Sequence, residues 1–298
     1  MKFTVIEKPE FSLIRKGTTK VKVNANTRAV TSMGKSMTAP LQVSLTKAIK
    51  KFRNKIKNSD IYNAWKNKKT FGFGAIDFKE PSQIIETTFL SAGRLALPAN
   101  DVKELRWDSS NPHVADYLET ANSDLVKYIS NDTRTVIRES VKNSYDNAWT
   151  PRDIAESIKG SIGLLPQHAA AVEKFRAKMS ADGIPSSRAL KLSNAYADRL
   201  LNYRAMNIAK TESRRAASYG QLGIWKTGMD QGLIPDGAEK IWVVSSAPCP
   251  ICDPMDGESV AIDDSWELNN GESVEIPNDA HPSCECEMQL SFGEENNE

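Results

Sequence analysis

Apolar residues recur with a helical period along most of this chain. Over 45–69, Leu45, Ile49, Phe52 and Ile56 fall at i, i+4, i+7 and i+11 with lysines around the rest of the wheel, which predicts a basic amphipathic helix. A shorter helix is expected from Pro81 to Leu97, ended by Pro98. Val114, Leu118, Ala121, Leu125, Ile129 and Val136 then make one seam through a long central helix. Thr150, Pro151, Arg152 and Asp153 mark a fresh start. The hydroxyl can cap, the proline occupies the first turn where its missing N–H costs nothing, and the acid can reach back to the cap. Gly160, Gly163 and Pro166 break that helix; another is expected from about Gln167 to Ala181, with Gly183 placed as its left-handed cap. The last long helix covers about Ser187 to Trp225.

The flanks differ. Residues 1–45 are rich in Thr, Ser, Val and Lys without a helical period, and are expected to be extended or disordered until bound. Phe71 to Gly74 suggests a turn. After Trp225, Gly228, Gly232, Pro235 and Gly237 read as a linker, and Ile241 to Val244 as a strand. The expected class is α+β: an extended basic arm with an amphipathic helix (1–70), a mainly α-helical central domain (71–227), and a small β-containing module with an exposed tail (228–298).

Composition agrees with a chain that buries a real core: 298 residues, 40% hydrophobic and 26% charged. No apolar run approaches the roughly 20 residues of a membrane span, and the N-terminus lacks a signal-like apolar stretch, so a protein kept in a cytoplasm is expected. The net charge of +1 hides a polarity. Residues 1–70 hold 17 basic and 3 acidic residues, and residues 236–298 hold 16 acidic residues against Lys240 alone. The basic end suits non-specific double-stranded DNA, through Lys47, Lys50, Lys51, Arg53, Lys55, Lys57, Lys66, Lys68 and Lys69. The same lysines could instead solvate a helix or meet an acidic protein surface.

One charge sits out of place. On the last helix Leu201, Ala205, Ile208, Ala209, Ala216 and Tyr219 share a face, and Glu212 falls in its middle. A carboxylate on a packing seam must be paired or protonated, so Glu212 is read as a structural ion pair between helices or a cap acceptor that fixes register, with Arg215 a partner if it leans inward.

The four cysteines lie within the last 50 residues. Cys249 and Cys252 form a C-x2-C pair after the predicted strand, and His281, Cys284 and Cys286 follow. Clustered thiols with an imidazole suit a tetrahedral structural Zn2+ better than disulfides. Five candidates serve four places: Cys249, Cys252 and His281, with either Cys284 or Cys286. The chain has 3 histidines, and the module has none to spare for catalysis or an HNH-type nuclease site. His113 is expected at a helix start and His168 on a helix without a partner.

Three segments together resemble the Mu F-like head morphogenesis family of tailed-bacteriophage minor head proteins. The first runs from Trp149 through Pro151 and Ile154 to Ile162, Gly163 and Leu164. The second is Arg204 through Lys210, Thr211 and Glu212 to Gly220, similar to the family's Ala-Arg-Thr-Glu helix with Lys210 in place of arginine. The third joins Trp242, Cys249, Cys252, Asp256 and Gly257 to His281, Pro282, Ser283, Cys284, Glu285 and Cys286. It is similar to the family's His-Pro-Asn-Cys-Arg-Cys ending, with Ser283 and Glu285 replacing Asn and Arg. The match covers about residues 105–292. It implies a structural, non-enzymatic virion component in the phage head, assembled in the host bacterial cytoplasm. Its partners would be the portal protein and capsid or other head proteins, and it would aid genome packaging or delivery. The alternatives are a nuclease or ADP-ribosylating effector, since some Mu F-like proteins carry toxin domains, and a zinc-containing DNA-binding regulator.

Overall fold

In the computed structural model, which describes residues 23–57, 59, 76–146 and 151–292, the helical seams close on one another around the last long helix. The described helices are α1 (Ala25–Lys55), α2 (Lys79–Leu95), α3 (Ala99–Glu104), α4 (Pro112–Asp146), α5 (Pro151–Ser161), α6 (Pro166–Ala181) and α7 (Ser186–Asp230). Five short strands follow: β1 (Ala238–Val243), β2 (Ser259–Ala261), β3 (Trp266–Glu267), β4 (Ser273–Val274) and β5 (Glu287–Phe292). The protein is thus mostly helical with a small antiparallel sheet at its C-terminal end. Among the described residues no helix is long and apolar enough to cross a membrane.

α7 is the axis. Its first half buries one seam, Ala189, Ala197, Leu201, Ala205 and Ala209; of the predicted face, Leu201, Ala205, Ala209 and Ala216 are buried and Ile208 and Tyr219 half-buried. From Ser213 onward it is enclosed on successive faces, with Ala216, Ala217, Gly220, Leu222, Ile224 and Trp225 all buried. Small residues make this possible: a Cβ on Gly34 of α1 would stand 3.0 Å from that of Ala217, and one on Gly220 would stand 2.2 Å from the carbonyl oxygen of Phe89 on α2. A helix surrounded in this way has no single apolar stripe.

α1 departs from the sequence expectation at both ends. Residues 25–44, expected to be extended, are helical, and α1 ends at Lys55; residues 60–69 of the predicted basic helix and residues 1–22 lie outside the described residues. Leu45, Ile49, Phe52 and Ile56 are buried as predicted. Their seam continues back through Leu41, Gly34, Val30 and Thr27. Thr27 and Gly34 interrupt the apolar period, and Pro40 looks like a breaker. Proline cannot donate to the Ser36 carbonyl one turn earlier, a cost of about 3 kcal/mol. Leu41 and Leu45, both 0% exposed, offset it at roughly 1.5–3 kcal/mol each. Asn24 caps the start, its Oδ1 accepting from Thr27 N at 2.8 Å.

The remaining helices follow local punctuation. α4 buries Val114, Ile129 and Val136 and half-buries Leu118 and Ala121, while α5 begins at Pro151. At the end of α6, Gly183 adopts φ 76°, Gly183 N donates to Ser180 O, and Ile184 N donates to Met179 O. This is the paired bonding that a left-handed glycine cap permits.

β1 starts three residues before the predicted strand and lies between β2 and β5, antiparallel to both. Its inward positions are Ala238, Lys240 and Trp242, and Trp242 meets Trp266 edge-on at 5.3 Å. Lys240 is 0% exposed, with Nζ 4.8 Å from the Trp266 ring centre and donating to Glu275 O at 3.0 Å. Burial pushes its ammonium down to about 8. The unfolded chain therefore holds one more proton between about pH 8 and 10.5, so this residue makes stability rise with pH across that window, by on the order of 3 kcal/mol. Urea unfolding at pH 7.5 and 10 should show the rise, and Lys240→Met should remove its share; an equal slope in both proteins would refute this.

Candidate metal centre and its seat on the long helix

The C-x2-C pair lies on a tight turn after β1. Cys252 N donates to Cys249 O at 3.0 Å, Asp253 N to the same oxygen at 2.9 Å, and Met255 N to Cys252 O at 2.9 Å. The second half comes from the 3-10 turn at Pro277–Asp279 and the residues after it. There Cys284 N donates to His281 O at 3.3 Å, and Ser283 takes a left-handed φ of 60°. The side-chain amide of Asn278 donates to Cys284 O at 3.1 Å and Cys286 O at 3.2 Å, fixing the segment just before β5 that carries the last two thiols.

These turns bring all five predicted residues together. His281 Nε2 lies 3.2 Å from Cys249 Sγ and 3.3 Å from Cys252 Sγ, and Cys252 Sγ lies 3.8 Å from Cys284 Sγ. For zinc–sulfur bonds of about 2.3 Å and zinc–nitrogen bonds of about 2.0 Å, tetrahedral edges are about 3.8 Å between sulfurs and about 3.5 Å between sulfur and nitrogen. The cluster fits that size. It forms two overlapping groups, Cys249–Cys252–His281 and Cys252–Cys284–Cys286, and Cys252 belongs to both. The four cysteines are free thiols. His281 Nδ1 lies 3.0 Å from Pro282 O, which directs Nε2 toward the sulfurs.

The thiols cannot all ionise side by side without a cation. The Cys284 thiol, hydrogen-bonded to Cys286, holds Cys286 down to about 6. Burial raises Cys252, and the bond to Cys286 together with burial raises Cys284. A divalent ion would supply the missing positive charge, and the soft donor set favours zinc over magnesium or calcium.

The second half of the cluster is seated on α7. Thr211 Oγ1 accepts from Ser283 N at 3.0 Å; Arg214 donates to Ser283 O at 3.1 Å and to Glu285 Oε1 at 2.7 Å. Ser218 Oγ donates to Asn278 Oδ1, and Gln221 Nε2 donates to Met288 O at 3.2 Å. Arg215 Nε donates to Asp279 Oδ1 at 2.6 Å, and the Tyr219 hydroxyl donates to Asp279 Oδ2 at 2.5 Å. Glu212 lies 3.7 Å from Arg215, one turn away on the same helix. Its pair with Arg215 lies within one helix where a pair between helices was expected, and Arg215 in turn bonds Asp279. Sequence periodicity pointed to Glu212 but missed Thr211, Arg214 and Ser218, because a helix contacted on several sides shows no stripe to mark them, and it missed Asn278, which lies on a short turn with no period at all.

The basic set divides. Arg53 is corrected as a DNA ligand: it is 7% exposed, its Nε and Nη2 donate to Ile162 O at 2.9 and 2.7 Å, and its Nη1 donates to Asp198 at 3.0 Å. It ties α1 to the turn after α5. Lys47, Lys50 and Lys51 make exposed pairs with Glu80, Asp198 and Asp77 at 3.1, 3.1 and 4.0 Å. Lys55 and Lys57 are exposed, and Lys66, Lys68, Lys69 and the turn at Phe71 to Gly74 lie outside the described residues. Arg53→Met should cost about 2–3 kcal/mol by leaving Ile162 O without its donors. A melting temperature unchanged in that variant would return Arg53 to the surface set. His113 stands at the start of α4 with Nε2 2.9 Å from Asp230, and His168 Nδ1 is buried without a hydrogen-bond partner among the described residues.

Compared with known proteins, the chain matches no family model, no curated protein and no solved structure.

Proposed function

We infer that this chain is a structural head component of a tailed bacteriophage, a minor head protein that docks on the portal and neighbouring head proteins, with zinc as the staple of its C-terminal module. One observation supports this above the rest. The three segments that carry the resemblance are joined directly in space: Arg204 donates to Gly163 O at 2.9 Å, and Thr211 and Arg214, ten residues or fewer further along the same helix, hold Ser283 and Glu285. Sequence motifs spread over more than a hundred residues thus form one continuous unit. Glu285, standing where the family has arginine, is paired with Arg214.

The test is co-expression with the portal protein of the phage that encodes it on this reading. A stable complex, and the chain's presence in purified heads, is the expected result; absence from heads would overturn the reading. DNA contact, on this proposal, falls to Lys47, Lys50 and Lys51, whose ion pairs are exposed and weak, to Lys55 and Lys57, and to the basic residues outside the described segments. α1 is part of the core, so removal of residues 1–70 would unfold the body and test nothing. Removal of residues 1–22 is the informative comparison, by gel shift at about 50 and 200 mM salt. If those residues contribute phosphate contacts, the shortened chain should bind less at low salt and lose less on raising it.

A further inference from the structure

Away from the metal centre, a cavity of about 200 Å3 opens between the first turns of α4 and the second half of α7. Its floor is aromatic and aliphatic. Phe89 stacks on Tyr117 with ring centres 4.3 Å apart, Tyr117 meets Tyr219 at 5.2 Å, and Leu222 lies beside them. The rim carries three carboxylates, Asp116, Glu212 and Glu275, and two cations, Arg215 and Lys226.

Both cations are already engaged by acids. Arg215 lies 2.6 Å from Asp279 and 3.7 Å from Glu212, while Lys226 lies 3.2 Å from Glu275 and 3.8 Å from Asp263. Each is flanked by two carboxylates, and Asp116 adds an exposed one at the mouth. Burial, and then the charge of Glu212, raise the Tyr117 phenol and keep it protonated. The field at the mouth is therefore negative over a largely apolar, π-rich floor.

We propose that this cavity receives a basic side chain, an arginine in particular, presented by a partner protein. A guanidinium can lay its planar body against aromatic rings while its N–H edge reaches carboxylates, which a compact ammonium cannot do as well. The volume is below the roughly 300–1,000 Å3 of most small-molecule sites and matches one inserted side chain. An anion would meet like charge, and an apolar side chain would desolvate the carboxylates without giving them partners. The site is built mainly by α4 and α7, with Phe89 of α2 and Glu275 of the C-terminal module, and does not depend on the head-protein reading.

The experiment is a ligand-observed NMR titration of the full-length, metal-loaded protein with N-acetyl-arginine amide and with its neutral isostere N-acetyl-citrulline amide. So small a probe should bind with a Kd of about 1 mM, and the citrulline compound at least about tenfold more weakly. Asp116→Asn, at an exposed position, should weaken the arginine probe about threefold or more. Thr120→Trp, also exposed, should block the mouth while leaving the far-ultraviolet circular dichroism unchanged. Equal binding of the two probes, undiminished binding in Thr120→Trp, or no saturable arginine binding up to about ten times the expected Kd would each overturn the proposal.

Discussion

Stripping the metal with a strong chelator is expected to unfold residues 238–292 while the contacts of α1 and α2 with α7 persist. The module has five strands of two to six residues, and two of its pairings, β1 with β2 and β3 with β4, span only three and two residue pairs. Such short ladders are marginal without a staple. A structural zinc site contributes on the order of 10 kcal/mol in comparable small modules. Hydrogen exchange read by mass spectrometry should show amide protection lost across β1, β5 and the cysteine turns, and retained in the buried part of α7. Cys252→Ser should mimic chelation, since Cys252 lies in both overlapping groups. Cys284→Ser and Cys286→Ser should differ from each other, and the one that releases metal identifies the fourth ligand. Unchanged exchange after verified metal removal would reduce the cluster to a set of buried thiols.

The second large effect is expected at Gly220. Alanine is the better helix former by about 1 kcal/mol, so local propensity favours Gly220→Ala. The structure predicts the opposite. The new Cβ would stand 2.2 Å from the Phe89 carbonyl oxygen, 3.0 Å from its carbon and 3.2 Å from Gly93 N. All three atoms are backbone, so no rotamer change relieves the clash and the two helices must part. The cost should reach about 3 kcal/mol or more, the upper end of overpacking. Gly237→Ala, whose Cβ would meet nothing within 4 Å, is the control and should fall within about 0.5 kcal/mol of the parent. Equal urea midpoints for Gly220→Ala and Gly237→Ala would show that α2 and α7 do not approach as described.

Both effects bear on what the chain discloses unaided. Gly183 as a left-handed cap, Pro151 at a helix start, and the seam of Leu45, Ile49, Phe52 and Ile56 depend on residues within a turn or two of each other. Such features are legible because the physics is local. The first half of α1 was not legible, since Thr27 and Gly34 occupy seam positions and Pro40 argues against a helix. Packing against α7 overrides propensity there, as is common where most of a helix's stability is tertiary. Arg53 misled for a related reason: one more cation on a basic wheel looks solvated, and only the position of Ile162 O and Asp198 makes it internal.

By itself the sequence determined the metal-type residues, the helical character of the body and the charge polarity between the ends, because these follow from residue identity and short-range spacing. Tertiary structure alone decided that Arg215, which also meets Glu212 on its own helix, bonds Asp279, and that Thr211 and Arg214 hold the turn carrying Ser283 and Glu285. It also decided that the five candidate ligands converge on one site. Those contacts join residues about thirty to seventy positions apart. Which ones form is set by how closely α7 lets its neighbours approach, a property of glycines and alanines that carry no pattern of their own.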